Sequence, residues 1–79
     1  MPTISEFVVI EGSPLIGMKL ADVTSKYKVE VLHYHNPTLD YQTRTPYNPE
    51  TTIKSYYTLK VSGASENVRH LRLDSVKYQ

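Results

Sequence analysis

The sequence predicts a small α+β domain in which two helices pack on a mostly antiparallel sheet. The chain has 79 residues, the size of one domain whose hydrophobic core is only marginally large enough to fold. Runs of β-branched and aromatic residues are interspersed with two amphipathic stretches, and no internal repeat is present. These observations give the order β-α-β-β-β-α within one domain over residues 1–79.

The first strand is predicted over Ile4–Ile10, where β-branched and aromatic side chains dominate and Glu6 is the only charge. The cluster Glu-Gly-Ser-Pro at residues 11–14 then turns the chain. Gly17 precedes the first helix, and we expect its missing side chain to let the backbone pass close to the sheet.

The first helix is predicted over Lys19–Tyr27, since apolar residues from Leu15 onward recur at the 3.6-residue spacing of one helix face. A second strand follows over Lys28–His35, with apolar residues on both alternating faces. Such a mixed pattern is typical of a strand that is partly covered on both sides. Strict alternation places His33 on the same face as Val31.

The second half of the chain predicts two strands and a helix. A short strand is expected over Tyr41–Thr45 between two proline-containing turns, and a longer one over Ser55–Ser62. Ser65 is a suitable N-cap for the final helix. The looser apolar stripe of this helix comprises Val68, Leu71 and Val76, with His70 and Leu73 nearby.

Charge and composition argue against several classes of protein. The formal net charge is +1, from nine basic and eight acidic residues, which leaves no electrostatic footprint for duplex nucleic acid. The chain has no cysteine, so disulfides and thiolate zinc sites are excluded. No apolar run approaches the roughly 20 residues that span a bilayer, and no signal-like segment is present. We expect a cytoplasmic protein that gains stability by oligomerisation.

His33 and His35 form an H-x-H pair, which a strand points to one face and which could supply two metal ligands. His70 belongs to another element and no acidic cluster accompanies the pair, so an interface or ligand-stacking role is favoured over a metal site. The serines lack a His/Asp partner arrangement and the carboxylates are dispersed. We therefore predict a protein that is not an enzyme and holds no metal or cofactor.

Tyrosine is unusually frequent, with seven residues against one Phe and no Trp. Four of the tyrosines surround the same loops: Tyr41, Tyr47, Tyr56 and Tyr57. They could pack at the edge of the core or form a platform on which purine rings stack. Arg44 lies among them and could either bind a phosphate or solvate an edge strand. Binding of single-stranded nucleic acid is disfavoured by the small net charge.

Three segments, taken in order, resemble the RCK_C (TrkA-C) family, the C-terminal regulatory domain of potassium transport and channel regulators. EGSPLIGMKLADV at residues 11–23 is similar to the family's turn GSPLIGKTL-x-EL. KYKVEVLHYH at residues 26–35 is similar to RYGVNVLAI. Residues 48–71 are similar to P-x-x-x-T-x-L-x-x-GD-x-L-x-V-x-G-x-x-x-x-L. The resemblance extends from about Ile4 to Leu73.

The chain departs from the family pattern at two turns. Tyr56 and Tyr57 stand where the family has a Gly-Asp turn, and Lys28 stands where glycine often closes the first helix. The family domain normally follows a Rossmann-like nucleotide-binding domain, which this sequence does not include. We therefore expect either a stand-alone module or a fragment of a longer protein.

The resemblance implies a non-catalytic homodimeric sensor that signals to a transport protein or another partner. In several bacterial members the effector is cyclic di-AMP, bound across the two-fold axis in the intersubunit cleft; a symmetric interface suits a ligand made of two equal halves. By position in the family, Val31 and Leu32 would pack on the bases. The polar and cationic contacts would come from His33, His35, Tyr41 and Arg44.

A function of another class also fits the sequence. The chain could be an interaction or assembly module that docks on a separately encoded transporter or channel subunit without a small-molecule ligand. A dimer groove filled by the protein's own tyrosines would distinguish this alternative from the sensor.

Overall fold

The computed structural model describes residues 2–38 and 45–78, which form a four-stranded sheet and two helices. The elements are β1 (Thr3–Val8), α1 (Leu20–Tyr27), β2 (Val29–His35), β3 (Thr45–Pro46), β4 (Thr58–Gly63) and α2 (Ser65–Ser75). This order and the α+β class confirm the sequence prediction. No helix in the described part of the chain has the length and apolar character that crossing a bilayer requires.

The strands are ordered β1-β4-β2-β3, and every neighbouring pair is antiparallel. β4 therefore lies between β1 and β2, which run in the same direction. α1 supplies the crossover that returns the chain to that direction, because a tight hairpin would reverse it. One edge of the sheet is the outer side of β1, and the other consists of β3 and the part of β2 that β3 does not reach.

Both helices pack on one face of the sheet. Their buried apolar residues meet the inward-facing residues of the three longer strands in one core. From the helices the core receives Leu20, Val23, Tyr27, Val68 and Leu71. On the opposite face Ile4 is 59% exposed and Val8 is 43% exposed, so no described element covers that side of the sheet.

A β-bulge at Leu32 exchanges the two faces of β2. Val31 and His33 pair with consecutive residues of β4, which leaves Leu32 as the extra residue. An extra residue shifts the alternation of side chains by one position. Tyr34 consequently joins the core, and His33 lies opposite the outward-facing Lys60. The expectation that His33 shares the face of Val31 is wrong, and the bulge accounts for the mixed pattern.

Two strand boundaries differ from the predicted ones by two residues or more. β1 ends at Val8 rather than at Ile10. β4 begins at Thr58 rather than at Ser55, because the preceding residues form a turn in which Tyr56 has φ +70°. Within the described residues β3 comprises Thr45–Pro46; residues 41–44 of the predicted strand lie outside them.

The second helix also differs in its details. Ser65 is the first helical residue rather than the N-cap, which is Ala64 and makes no side-chain cap. Val68 and Leu71 are buried as expected, whereas Leu73 is 52% exposed and Val76 is 53% exposed. The end of α2 therefore has a narrower apolar stripe than its sequence suggests.

The turn between β1 and α1 is held by Ser13, whose hydroxyl donates to the Asp74 carbonyl oxygen at 2.7 Å and accepts from the Leu15 amide at 3.1 Å. Gly17 has φ +90°, and nothing lies within 4 Å of the position that a Cβ would occupy. The close approach expected at Gly17 is therefore absent, and it is the left-handed backbone that favours glycine.

Candidate ligand-binding groove

A groove of about 560 Å³ lies beside the part of β2 that β3 does not reach. It is lined by the end of α1, the first half of β2 and one tyrosine that follows β3. The residues of this β2 groove are Thr24, Lys28, Val29, Glu30, Val31, Leu32 and Tyr47.

The groove exists because the described residues that follow Pro46 do not continue the pairing with β2. β3 pairs only with His33 and Tyr34, through Pro46 and Thr45. Proline has no amide proton to continue the ladder, and the following segment turns to the start of α1, where the Ala21 amide donates to a carbonyl oxygen in it at 3.2 Å. Within the described residues, the edge of β2 over 29–32 consequently faces the groove with backbone groups that no strand pairs.

The lining combines an apolar base with charges at one end. Val29 and Val31 are nearly fully buried beneath the groove, and Tyr47 is 38% exposed. Lys28 and Glu30 are both exposed. This arrangement can accept a flat apolar group against the strand edge and an anionic group near the ammonium of Lys28.

Lys28 is held in position by the end of α1. Its backbone is left-handed, with φ 57° and ψ 47°, and its amide donates to the Thr24 carbonyl oxygen at 3.0 Å. The Thr24 hydroxyl donates to the Leu20 carbonyl oxygen at 3.1 Å. Lys28 therefore projects from a fixed corner between α1 and β2 rather than from a loop.

The structure brings together two of the six predicted site residues. Val31 and Leu32 line the β2 groove. His33 and His35 pair with outward-facing residues of β4 and lie on the helix-free face. The remaining two, Tyr41 and Arg44, lie outside the described residues.

Sequence reasoning did not assign Lys28 and Tyr47 to this site. A signal existed for each of them. Lys28 occupies the helix-closing position where the family often has glycine, and Tyr47 belongs to the loop tyrosines considered as a stacking platform. Neither signal shows that the two residues converge on Val31 and Leu32.

Tyr57, one of the four loop tyrosines considered as a stacking platform, packs within the core instead. Tyr57 is buried and stacks on Tyr34, with ring centroids 5.7 Å apart and an angle of 11° between the planes. Burial raises the pKa of Tyr57, while the hydrogen bond that Asn36 donates to its hydroxyl oxygen opposes the rise.

Among the described residues no three histidines or carboxylates lie close enough to hold a metal ion.

No known protein family has a model that matches this chain, and no curated protein matches it either. The similarity to RCK_C domains stays a hypothesis that rests on the three segments quoted above.

Proposed function

We propose that the protein is a non-catalytic regulatory domain of the RCK_C type, which forms a homodimer and binds cyclic di-AMP between its subunits. One observation carries this proposal. Val31 and Leu32, the residues that the resemblance assigns to base contact, line an apolar groove large enough for a base.

The chemistry of the groove suits half of a cyclic dinucleotide. The purine face would lie on Leu32 and the ring of Tyr47, since aromatic and aliphatic groups stack on flat apolar surfaces. Unpaired backbone groups of β2 would bond to the edge of the base. The ammonium of Lys28 would attract the phosphate.

A dimer would complete the site. The β2 groove is open to solvent, and a two-fold axis would set the groove of a second copy against it. Because the ligand would contact both subunits, its binding would favour one dimer geometry over the others. That preference is the signal that a transport or other partner protein could read.

Calorimetric titration with cyclic di-AMP, combined with measurement of the mass in solution, tests the proposal. We expect one dinucleotide per two chains. Lys28→Asn should weaken binding by about tenfold, because it removes a charge-assisted hydrogen bond while asparagine tolerates the left-handed backbone. Lys26→Asn, which alters an exposed cation of α1 outside the groove lining, should bind as the wild type does.

The absence of binding heat at high ligand concentration would contradict the sensor. In that case an interaction module without a small-molecule ligand is the second candidate. The exposed Ile4 and Val8 on the helix-free face favour it, since apolar surface of this kind marks protein contacts. Co-purification of a transporter or channel subunit with the module, unaffected by nucleotides, would support it.

A further inference from the structure

The outer edge of β1 lies far from the β2 groove in the strand order. β1 pairs with β4 along all six of its residues, Thr3–Val8, and stands at the end of the sheet. Within the described residues no strand pairs with its other side. β1 contains no proline or lysine, the residues with which proteins commonly block strand addition at an edge.

A second groove, of about 290 Å³, lies beside this edge, between β1 and α2. β1 contributes Thr3, Ile4 and Ser5 to its lining, and α2 contributes Arg69 and Arg72 among others. This β1–α2 groove shares no lining residue with the β2 groove.

Arg69 and Arg72 are three residues apart on α2, which places them on neighbouring turns of one helix face. Both are exposed, and within the described part of the chain neither forms an ion pair. Guanidinium groups bind carboxylates through two parallel hydrogen bonds. The lining of this groove therefore carries two cations and no acidic residue.

We propose that the β1 edge and the two arginines bind an extended segment of another protein that alternates acidic with apolar residues. The segment would add a fifth strand beside β1. Because side chains of a strand alternate between faces, its acidic residues would face Arg69 and Arg72 on the helix side. Its apolar residues would cover Ile4 and Val8, which are exposed on the opposite side.

The spacing of the charges is compatible with this pairing. Residues on one face of a strand repeat every ~7 Å, and Arg69 and Arg72 are separated by a rise of ~4.5 Å along α2. Flexible arginine and glutamate side chains span the difference.

A second copy of β1 does not supply this chemistry. The helix-facing residues of β1 are Thr3, Ser5 and Phe7, and none of them is acidic. Glu6 points to the other face of the sheet. Pairing of β1 with β1 would consequently leave Arg69 and Arg72 without carboxylates, which favours a different partner.

A labelled peptide of about seven residues that alternates glutamate with valine, long enough to cover β1, tests the proposal by fluorescence anisotropy. The control peptide alternates lysine with valine. We expect binding of the glutamate peptide alone, with slower amide exchange over Thr3–Val8. The double variant Arg69→Gln/Arg72→Gln should bind about tenfold or more weakly. Lys26→Gln, on α1, should bind as the wild type does.

Three results would overturn the proposal. The lysine peptide could bind as tightly as the glutamate peptide, or the double arginine variant could retain full affinity. The protein could also form a dimer through β1 that excludes the glutamate peptide, which would assign the edge to a second copy. Circular dichroism of the double variant establishes that any loss of binding does not come from unfolding.

Discussion

Tyr56 adopts a backbone conformation that its side chain disfavours. Its φ of +70° is in the left-handed region, which costs a non-glycine residue about 1–2 kcal/mol. Two hydrogen bonds fix the turn: the Tyr56 amide donates to the Val9 carbonyl oxygen at 2.7 Å, and the Val9 amide donates to that of Tyr57 at 2.8 Å. Tyr56 is 54% exposed, so packing contributes little to offset the strain.

Replacement of Tyr56 with glycine should stabilise the fold. We expect Tyr56→Gly to raise the free energy of unfolding by about 0.5–1 kcal/mol, because relief of the strain exceeds the greater chain entropy of unfolded glycine. The melting temperature should rise by about 2–8 °C. Tyr56→Ala is the matched control, since it removes the ring but keeps the strain. Equal stability of the two variants in chemical denaturation would contradict a backbone origin.

At the scale of elements, the end of α2 joins α1 and the turn after β1. The Tyr27 hydroxyl donates to the Asp74 carboxylate at 2.6 Å, and the Ser13 hydroxyl donates to the Asp74 carbonyl oxygen. The Ile10 amide donates to the Ser75 carbonyl oxygen at 3.0 Å. These bonds hold the two helices together where the apolar stripe of α2 has ended.

The Tyr27–Asp74 bond predicts a loss of stability in alkali. Burial, and then the bond to Asp74, raise the pKa of Tyr27 above its usual value of 10.0. The unfolded chain loses this proton near that pH while the folded chain retains it. The contribution of Tyr27 is therefore fully present below about pH 10 and is lost as the pH rises further.

Urea denaturation of Tyr27→Phe measures this contribution. We expect the variant to be less stable by about 1 kcal/mol at neutral pH and to lose stability less steeply than the wild type between about pH 9 and 11. Ser25→Ala, an exposed change on the same helix, should follow the wild-type curve. Identical alkaline slopes for Tyr27→Phe and the wild type would exclude Tyr27 as the source.

Local sequence pattern predicts some features of these elements and not others. α1 was predictable because the spacing of Leu20, Val23 and Tyr27 is a property of the helix alone. The bulge in β2 was not, since one inserted residue gives the same mixed pattern as a strand covered on both sides. Val76 is exposed and lies just after α2 has ended at Ser75, an end point that helical spacing does not record.

Prediction of the candidate site from the sequence has the same limit, because local pattern identifies only part of it. Val31 and Leu32 could be singled out because they belong to one short segment with a family counterpart. Lys28 reaches the groove from the end of α1, and Tyr47 reaches it through the path of the chain from Pro46 to α1. The hydrogen bonds that fix this path, such as the one that the Ala21 amide donates to the Pro49 carbonyl oxygen, join residues far apart in the sequence. A short stretch of sequence therefore does not reveal it.

At the scale of the whole molecule, the described residues form one sheet and one layer of helices. Its extents are 32 × 27 × 19 Å, and the shortest suits a sheet covered by helices of about 10–12 Å diameter on one side. A domain this thin buries a limited core. The two sheet edges and the helix-free face are the surfaces available for association, and the proposed sensor uses the β2 edge for its dimer.

Introducing a charged residue on each of two surfaces tests which surface forms the dimer interface. If the two β2 grooves face each other, Tyr47→Glu places like charges close together near the two-fold axis. The variant should therefore be a monomer in sedimentation equilibrium, and it should lose cyclic di-AMP binding. Val8→Glu, on the helix-free face, should leave both properties unchanged. Both sites are on the surface, at 38% and 43% exposure, so the fold should tolerate each change. Dissociation by Val8→Glu alone would instead place the interface on the helix-free face and leave the β2 groove without a partner.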